Sequence, residues 1–197
     1  VQGEKFWHML RGEEITDIKT ERKTIGHSHV LEPKWRKIKL AEKVMSRLLL
    51  KAASRLRRMN YYSSRLSLSI KTEKGLRLKG KSTFYRACDN KKLLEESRKI
   101  WKNLIKNKKI IKIKKISVTL YKLEKKNELQ PSLFENFDKK IILNTNRFEK
   151  ISQTMDTINS RFGRDSVTLG EIPNKIKSFS GTRIAFTRIP AKQEFHE

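Results

Sequence analysis

Residues 61–81 read YYSSRLSLSIKTEKGLRLKGK. Leu66, Leu68 and Ile70 alternate there with Arg65, Ser67, Ser69 and Lys71, the two-residue period of a strand with one face buried and one in water. Gly75 marks a turn, and beyond it Leu76 and Leu78 alternate with Arg77, Lys79 and Lys81. The stretch predicts a β-hairpin. Upstream, Trp35, Ile38, Ala41, Met45, Leu48, Ala52, Leu56 and Met59 recur every three or four residues behind Pro33, which predicts a helix over 34–59. Its other faces carry Arg36, Lys37, Lys39, Lys43, Arg47, Lys51, Arg55, Arg57 and Arg58. Downstream, Asp89 suits an N-cap for a helix over 91–106 with Leu93, Ser97, Ile100, Trp101, Leu104 and Ile105 inside.

Two further strands complete the pattern. Residues 25–31, IGHSHVL, have strand length, and residues 112–123 alternate Ile116, Val118 and Leu120 with Ser117, Thr119 and Tyr121. The order β-α-β-β-α-β predicts an α+β fold: a four-stranded, mostly antiparallel sheet with two helices on one face. The opposite face then presents Arg, Lys, Ser and Thr. Residues 1–14 read as a helix end stopped at Gly12, and 15–24 as an extended linker. A small helix/strand extension closes the chain. Its helix is expected over 144–162 with Phe148, Ile151, Met155, Ile158 and Phe162 inside and Gly163 as its stop; strand-like pieces follow at 167–170 and 181–190.

Charge narrows the function. The 197 residues hold 47 Lys and Arg against 21 Asp and Glu, a net +26. Residues 127–197 hold 11 against 9, so the first 126 hold 36 against 12 and contribute +24 of that charge. Such an excess suits a polyanion, nucleic acid first. Cys88 is the single cysteine, which excludes an internal disulfide and makes a reducing cytoplasm the default. No apolar run is long enough to span a membrane. The start, Val1-Gln2-Gly3, reads as a cut inside a longer chain.

The polar sheet face is the first candidate site. Arg65, Ser67, Ser69 and Lys71 would lie beside Arg77, Lys79 and Lys81, cations among short hydroxyls that suit phosphate oxygens. A row of exposed aromatics is missing there, so backbone tracking of a duplex fits better than base stacking. The basic helix is read as a core helix with a solvated back. His27 and His29 share one strand face, but zinc takes three or four ligands, and His8, His196 and Cys88 are distant in sequence; the pair is read as polar strand residues and no metal site is assigned. Phosphoryl transfer needs carboxylates converging on metal ions. The acids here are scattered, so no catalytic residue is assigned. QPSLF at 130–134 has two open readings, a pocket-binding peptide or a loop pinned to its own domain by Leu133 and Phe134.

The stretches RKTIGHSHVL (22–31) and KAASRLRRMNYYSSRLSLSI (51–70) resemble the little finger of bacterial Y-family translesion DNA polymerases, in the UmuC/ImpB/MucB/SamB branch. FWHMLRGEE resembles the end of that family's thumb, QPSLF its sliding-clamp-binding pentapeptide with Pro131 in place of the usual Leu, and TMDTINSRFGRDSVTLG its C-terminal extension. The resemblance implies thumb end and tether over 1–18, a little finger over 19–126, a linker with the clamp motif over 127–141 and an extension over 142–197. It implies non-sequence-specific grip on template–primer duplex by Lys23, Arg65, Ser67, Ser69, Lys71, Arg77, Lys79 and Lys81. It further implies clamp recruitment by Gln130, Ser132, Leu133 and Phe134, and a cytoplasmic, nucleoid-associated protein of bacterial damage tolerance. Other damage-response proteins could meet the extension. The family's Mg²⁺-binding acids would precede Val1, so no cofactor and no catalysis are expected of this stretch. A basic RNA- or ribosome-binding module is the alternative.

Overall fold

The computed structural model describes residues 2–13, 22–106, 112–128, 139–163 and 165–170. Helix α1 (Gln2–Leu10) ends at Gly12, whose φ of 76° the absent Cβ permits. The sheet consists of β1 (Thr24–Val30), β2 (Tyr61–Thr72), β3 (Arg77–Ala87) and β4 (Ile113–Lys125) in the order β1-β4-β2-β3. All three pairings are antiparallel. The two strands with the clearest hydrophobic alternation, β2 and β4, therefore take the two central places. Register places Leu66, Leu68 and Ile70 opposite Leu120, Val118 and Ile116, and all six are at most 1% exposed.

Helices α2 (Ile38–Arg58) and α3 (Asn90–Lys106) cover that apolar face. The α2 stripe of Ala41, Met45, Leu48, Ala52 and Leu56 is buried as its spacing predicts, and α3 buries Leu93, Ser97, Ile100 and Trp101. Asp89 caps α3, its Oδ1 accepting the Lys92 N–H at 2.8 Å. Asn60, at φ 62°, turns the chain out of α2 and donates its N–H to the Arg57 carbonyl, so β2 begins at the next residue. The first turn differs from expectation: a 3-10 turn at Pro33–Trp35 precedes α2, and an extended Lys37, bridged to Lys112, separates them.

Helix α4 (Lys139–Phe162) packs on α2 and α3, on the side away from the polar sheet face. Its buried side runs through Ser152 and Met155, whereas Ile151 and Phe162 of the expected stripe are 43% and 68% exposed. Polar contacts orient this helix and override its apolar period. Residues 167–170 form bends and no strand, and Leu76 is 51% exposed because β3 begins at Arg77. Arg47 and Arg57, read as part of a solvated back, are 5% and 8% exposed. Both meet carboxylates of the extension, Asp165 and Asp156. The expected strand at 181–190 and most of the linker at 15–24 lie outside the described residues.

Candidate nucleic-acid interface

Pleating sends every second side chain away from the helices. The registers arrange those side chains into four rows across the sheet, each in the order β1, β4, β2, β3. Thr24, Tyr121, Arg65 and Thr83 form the first, and Gly26, Thr119, Ser67 and Lys81 the second. Ser28, Ser117, Ser69 and Lys79 form the third, and Val30, Lys115, Lys71 and Arg77 the fourth. Small hydroxyls floor the middle, while cations line the β3 edge and the Val30 end. No Asp or Glu stands at any of these positions.

The edge cations are well placed to follow a charged backbone. Arg77, Lys79 and Lys81 are exposed and succeed one another every second residue, steps of about 6.8 Å along a strand. Arg65 is half-buried, and its Nε is shielded from water with no hydrogen-bond partner among the described residues. Such a donor gains most from an arriving phosphate oxygen. Gly26 keeps the floor low, since a Cβ there would stand 2.6 Å from the Val118 carbonyl oxygen and 3.1 Å from Thr119 Oγ1. Strands β1 and β4 thus meet at a point only glycine fits.

The structure brings together seven of the eight DNA-facing candidates: Arg65, Ser67, Ser69 and Lys71 face Thr83, Lys81, Lys79 and Arg77 in register. Ser67 is only 8% exposed and belongs to the floor. Lys23 is exposed and sits just before Thr24, at the start of the edge strand β1. The hairpin alone did not reveal Lys115, Ser117, Thr119 and Tyr121, whose places depend on β4 inserting between β1 and β2. Their signal was the polar half of the 112–123 alternation. Gln130, Ser132, Leu133 and Phe134 lie outside the described residues.

Other reactive groups lie elsewhere. His27 and His29 point to the helix side, where burial lowers the His29 pKa against the opposing pull of Glu32. Among the described residues no group of three His, Cys, Asp or Glu side chains gathers as a metal site. Cys88 is buried, and that burial, with Glu149 beside it, pushes its thiol up to about 12. No helix of the described residues is long and apolar enough to cross a membrane.

Three solved structures are similar: the Y-family DNA polymerase chimera Dbh-Dpo4-Dbh, at 12% identity over 63% of this chain and 36% of that one, TM-score 0.47; DinB from Sulfolobus solfataricus, at 13% over 61% and 35%, TM-score 0.43; and the complex of beta-clamp processivity factor and little finger domain of PolIV, at 15% over 56% and 97%, TM-score 0.41. The chain spans about a third of the length of the first two. A search of curated proteins found no match. Residues 22–133 match the impB/mucB/samB family C-terminal domain. With that match covering more than half of its length, the chain belongs to the impB/mucB/samB family and carries that family's C-terminal domain.

Proposed function

We propose that this chain grips template–primer duplex DNA through the outer face of its sheet, without sequence preference, as part of a translesion polymerase. The observation that carries the reading is the charge of that face: Arg65, Lys71, Arg77, Lys79, Lys81 and Lys115 stand among hydroxyls with no carboxylate in the four rows. Cations and hydroxyls bond phosphate oxygens, which position a protein on a duplex and carry no sequence information. Tyr121 and the exposed Tyr85 are too few to make a stacking platform. The 130–134 pentapeptide serves recruitment, Leu133 and Phe134 filling an apolar pocket on the sliding clamp with Gln130 and Ser132 at its edge.

Competition at matched salt tests the DNA reading: primer–template duplex should displace a bound duplex probe better than a structured RNA of equal length. Preferential displacement by RNA would assign the face to an RNA partner. Changing Leu133 and Phe134 to Ala should abolish retention on immobilised clamp while duplex affinity stays within about twofold. Unchanged retention would make the segment a structural anchor.

A further inference from the structure

The outer sheet face differs at its two ends. The row at one end is Val30, Lys115, Lys71 and Arg77, with no ring among them. The row at the other is Thr24, Tyr121, Arg65 and Thr83, and β3 runs on past it to Tyr85. Regular pairing breaks there. Arg65 faces Thr83 and Ser63 faces Ala87, so Phe84, Tyr85 and Arg86 stand against Ser64 alone. A bulge of this kind re-aims side chains. Phe84 packs against the core, and Tyr85 turns outward to 60% exposure. The irregularity is held in place from beneath. Ser63, fully buried, directs its hydroxyl at the carbonyl oxygens of Arg65 and Tyr121, 2.9 and 3.0 Å away. Next to Tyr121, Lys122 takes a φ of 53°, a conformation that a residue with a Cβ keeps only where its surroundings impose it. The Arg86 guanidinium lies over the Tyr85 ring, 5.3 Å from its centroid.

We propose that Tyr85 is a base-stacking residue: it takes the first unpaired template base beside the duplex that the cations hold, so the face prefers a primer–template junction. This role rests on the duplex reading above and gives that grip a direction, with cations at one end and a ring at the other. Inside a duplex the bases stack on one another, and side chains meet only backbone and groove edges. A ring raised at the end of the face therefore finds a partner only where a base is unpaired. In a template–primer that base belongs to the template. Two tyrosines cannot carry a length of single strand, but one ring suffices for one base. Every base has a π-face, so the contact adds no sequence preference. Arg86 beside the ring supplies a cation where the backbone of the unpaired strand must pass.

The test compares one duplex carrying a short 5′ template overhang, built either of ordinary nucleotides or of abasic sites, so that the phosphates stay equal. Anisotropy of the whole chain on both should favour the overhang with bases about tenfold, the contribution of one stacked base. Tyr85→Ala should bring that ratio to about one, whereas Tyr85→Phe and Tyr85→Trp should keep it. Iodouracil at the first unpaired template position should photo-cross-link to Tyr85, located by peptide mapping, and the same group inside the duplex should not. A base-dependent preference that survives Tyr85→Ala overturns the stacking role. So does a native chain that binds both overhangs equally, and in either case the duplex grip stands. A native chain that binds neither DNA overturns the duplex reading, and the stacking role falls with it.

Discussion

Replacing Arg77, Lys79 and Lys81 with Ala together removes the cationic edge of the sheet and leaves Arg65, Lys71 and Lys115 in place. The expected effect follows from counterion release, which gives a log–log salt slope of about −0.9 per phosphate neutralised. Six face cations on six phosphates give a slope of about −5.4, and three give about −2.7. Raising salt from about 50 to about 200 mM should then weaken the native chain over a thousandfold, but the variant only about fortyfold. Fluorescence anisotropy of a labelled primer–template duplex, titrated at five or so salt concentrations, measures both slopes. Arg98→Ala with Lys102→Ala provides the control, because both residues are exposed on α3 in the opposite layer. The reasoning is refuted if the triple variant keeps the native slope, or if the α3 control halves it.

Two further outcomes test the scaffold. Gly26→Ala should lower the urea midpoint with an unchanged m-value and cost about 1–3 kcal/mol, near the upper end because the added Cβ meets the Val118 backbone oxygen at 2.6 Å. An unchanged midpoint would show that β1 can slide on β4. Glu96 couples α3 to β3: burial alone would raise its pKa, but hydrogen bonds from Lys99, Ser82 and Lys92 hold it at about 2. A folded value below the ordinary 4.5 favours the ionised form, so this stability is complete above that pH and lost as pH falls toward 2. Glu96→Gln should flatten the acid limb of the stability curve measured by urea unfolding between pH 5 and pH 2, about the window in which the carboxylate titrates. A limb as steep as the native one would remove Glu96 from that role.

The 61–81 hairpin shows why so much of this fold was legible in the chain. A strand buried on one face must alternate, a covering helix must repeat at three or four, and β2, β4, α2 and α3 all obey. Strand alternation also carried the cations of β2 and β3, because residues facing opposite ways on a strand are distinguished by parity alone. The row that includes Lys115 was not legible. Parity places Lys115 on a face, but its neighbours depend on strand order, and the bulge at Lys114 resets the register between Lys71 and Thr72.

Arg57 marks the limit of that reading. On α2 it carries a charge, and a charged side chain of an amphipathic helix is ordinarily left to water. Nothing local distinguishes Arg57 from the exposed Arg58, yet the first is 8% exposed and bonded to Asp156. Likewise, the spacing of Ile151, Met155 and Phe162 implied an apolar seat for α4, yet only Met155 of the three is buried, and the helix turns to bring Ser152 and Asp156 inward. The sequence by itself determined the elements, their faces and the one-sided charge, because these follow from periodicities of 2 and about 3.6 residues within short windows. Only the tertiary structure decided which cations stay in water and which are neutralised within the protein. That choice depends on a pairing across 99 residues, which no local period encodes.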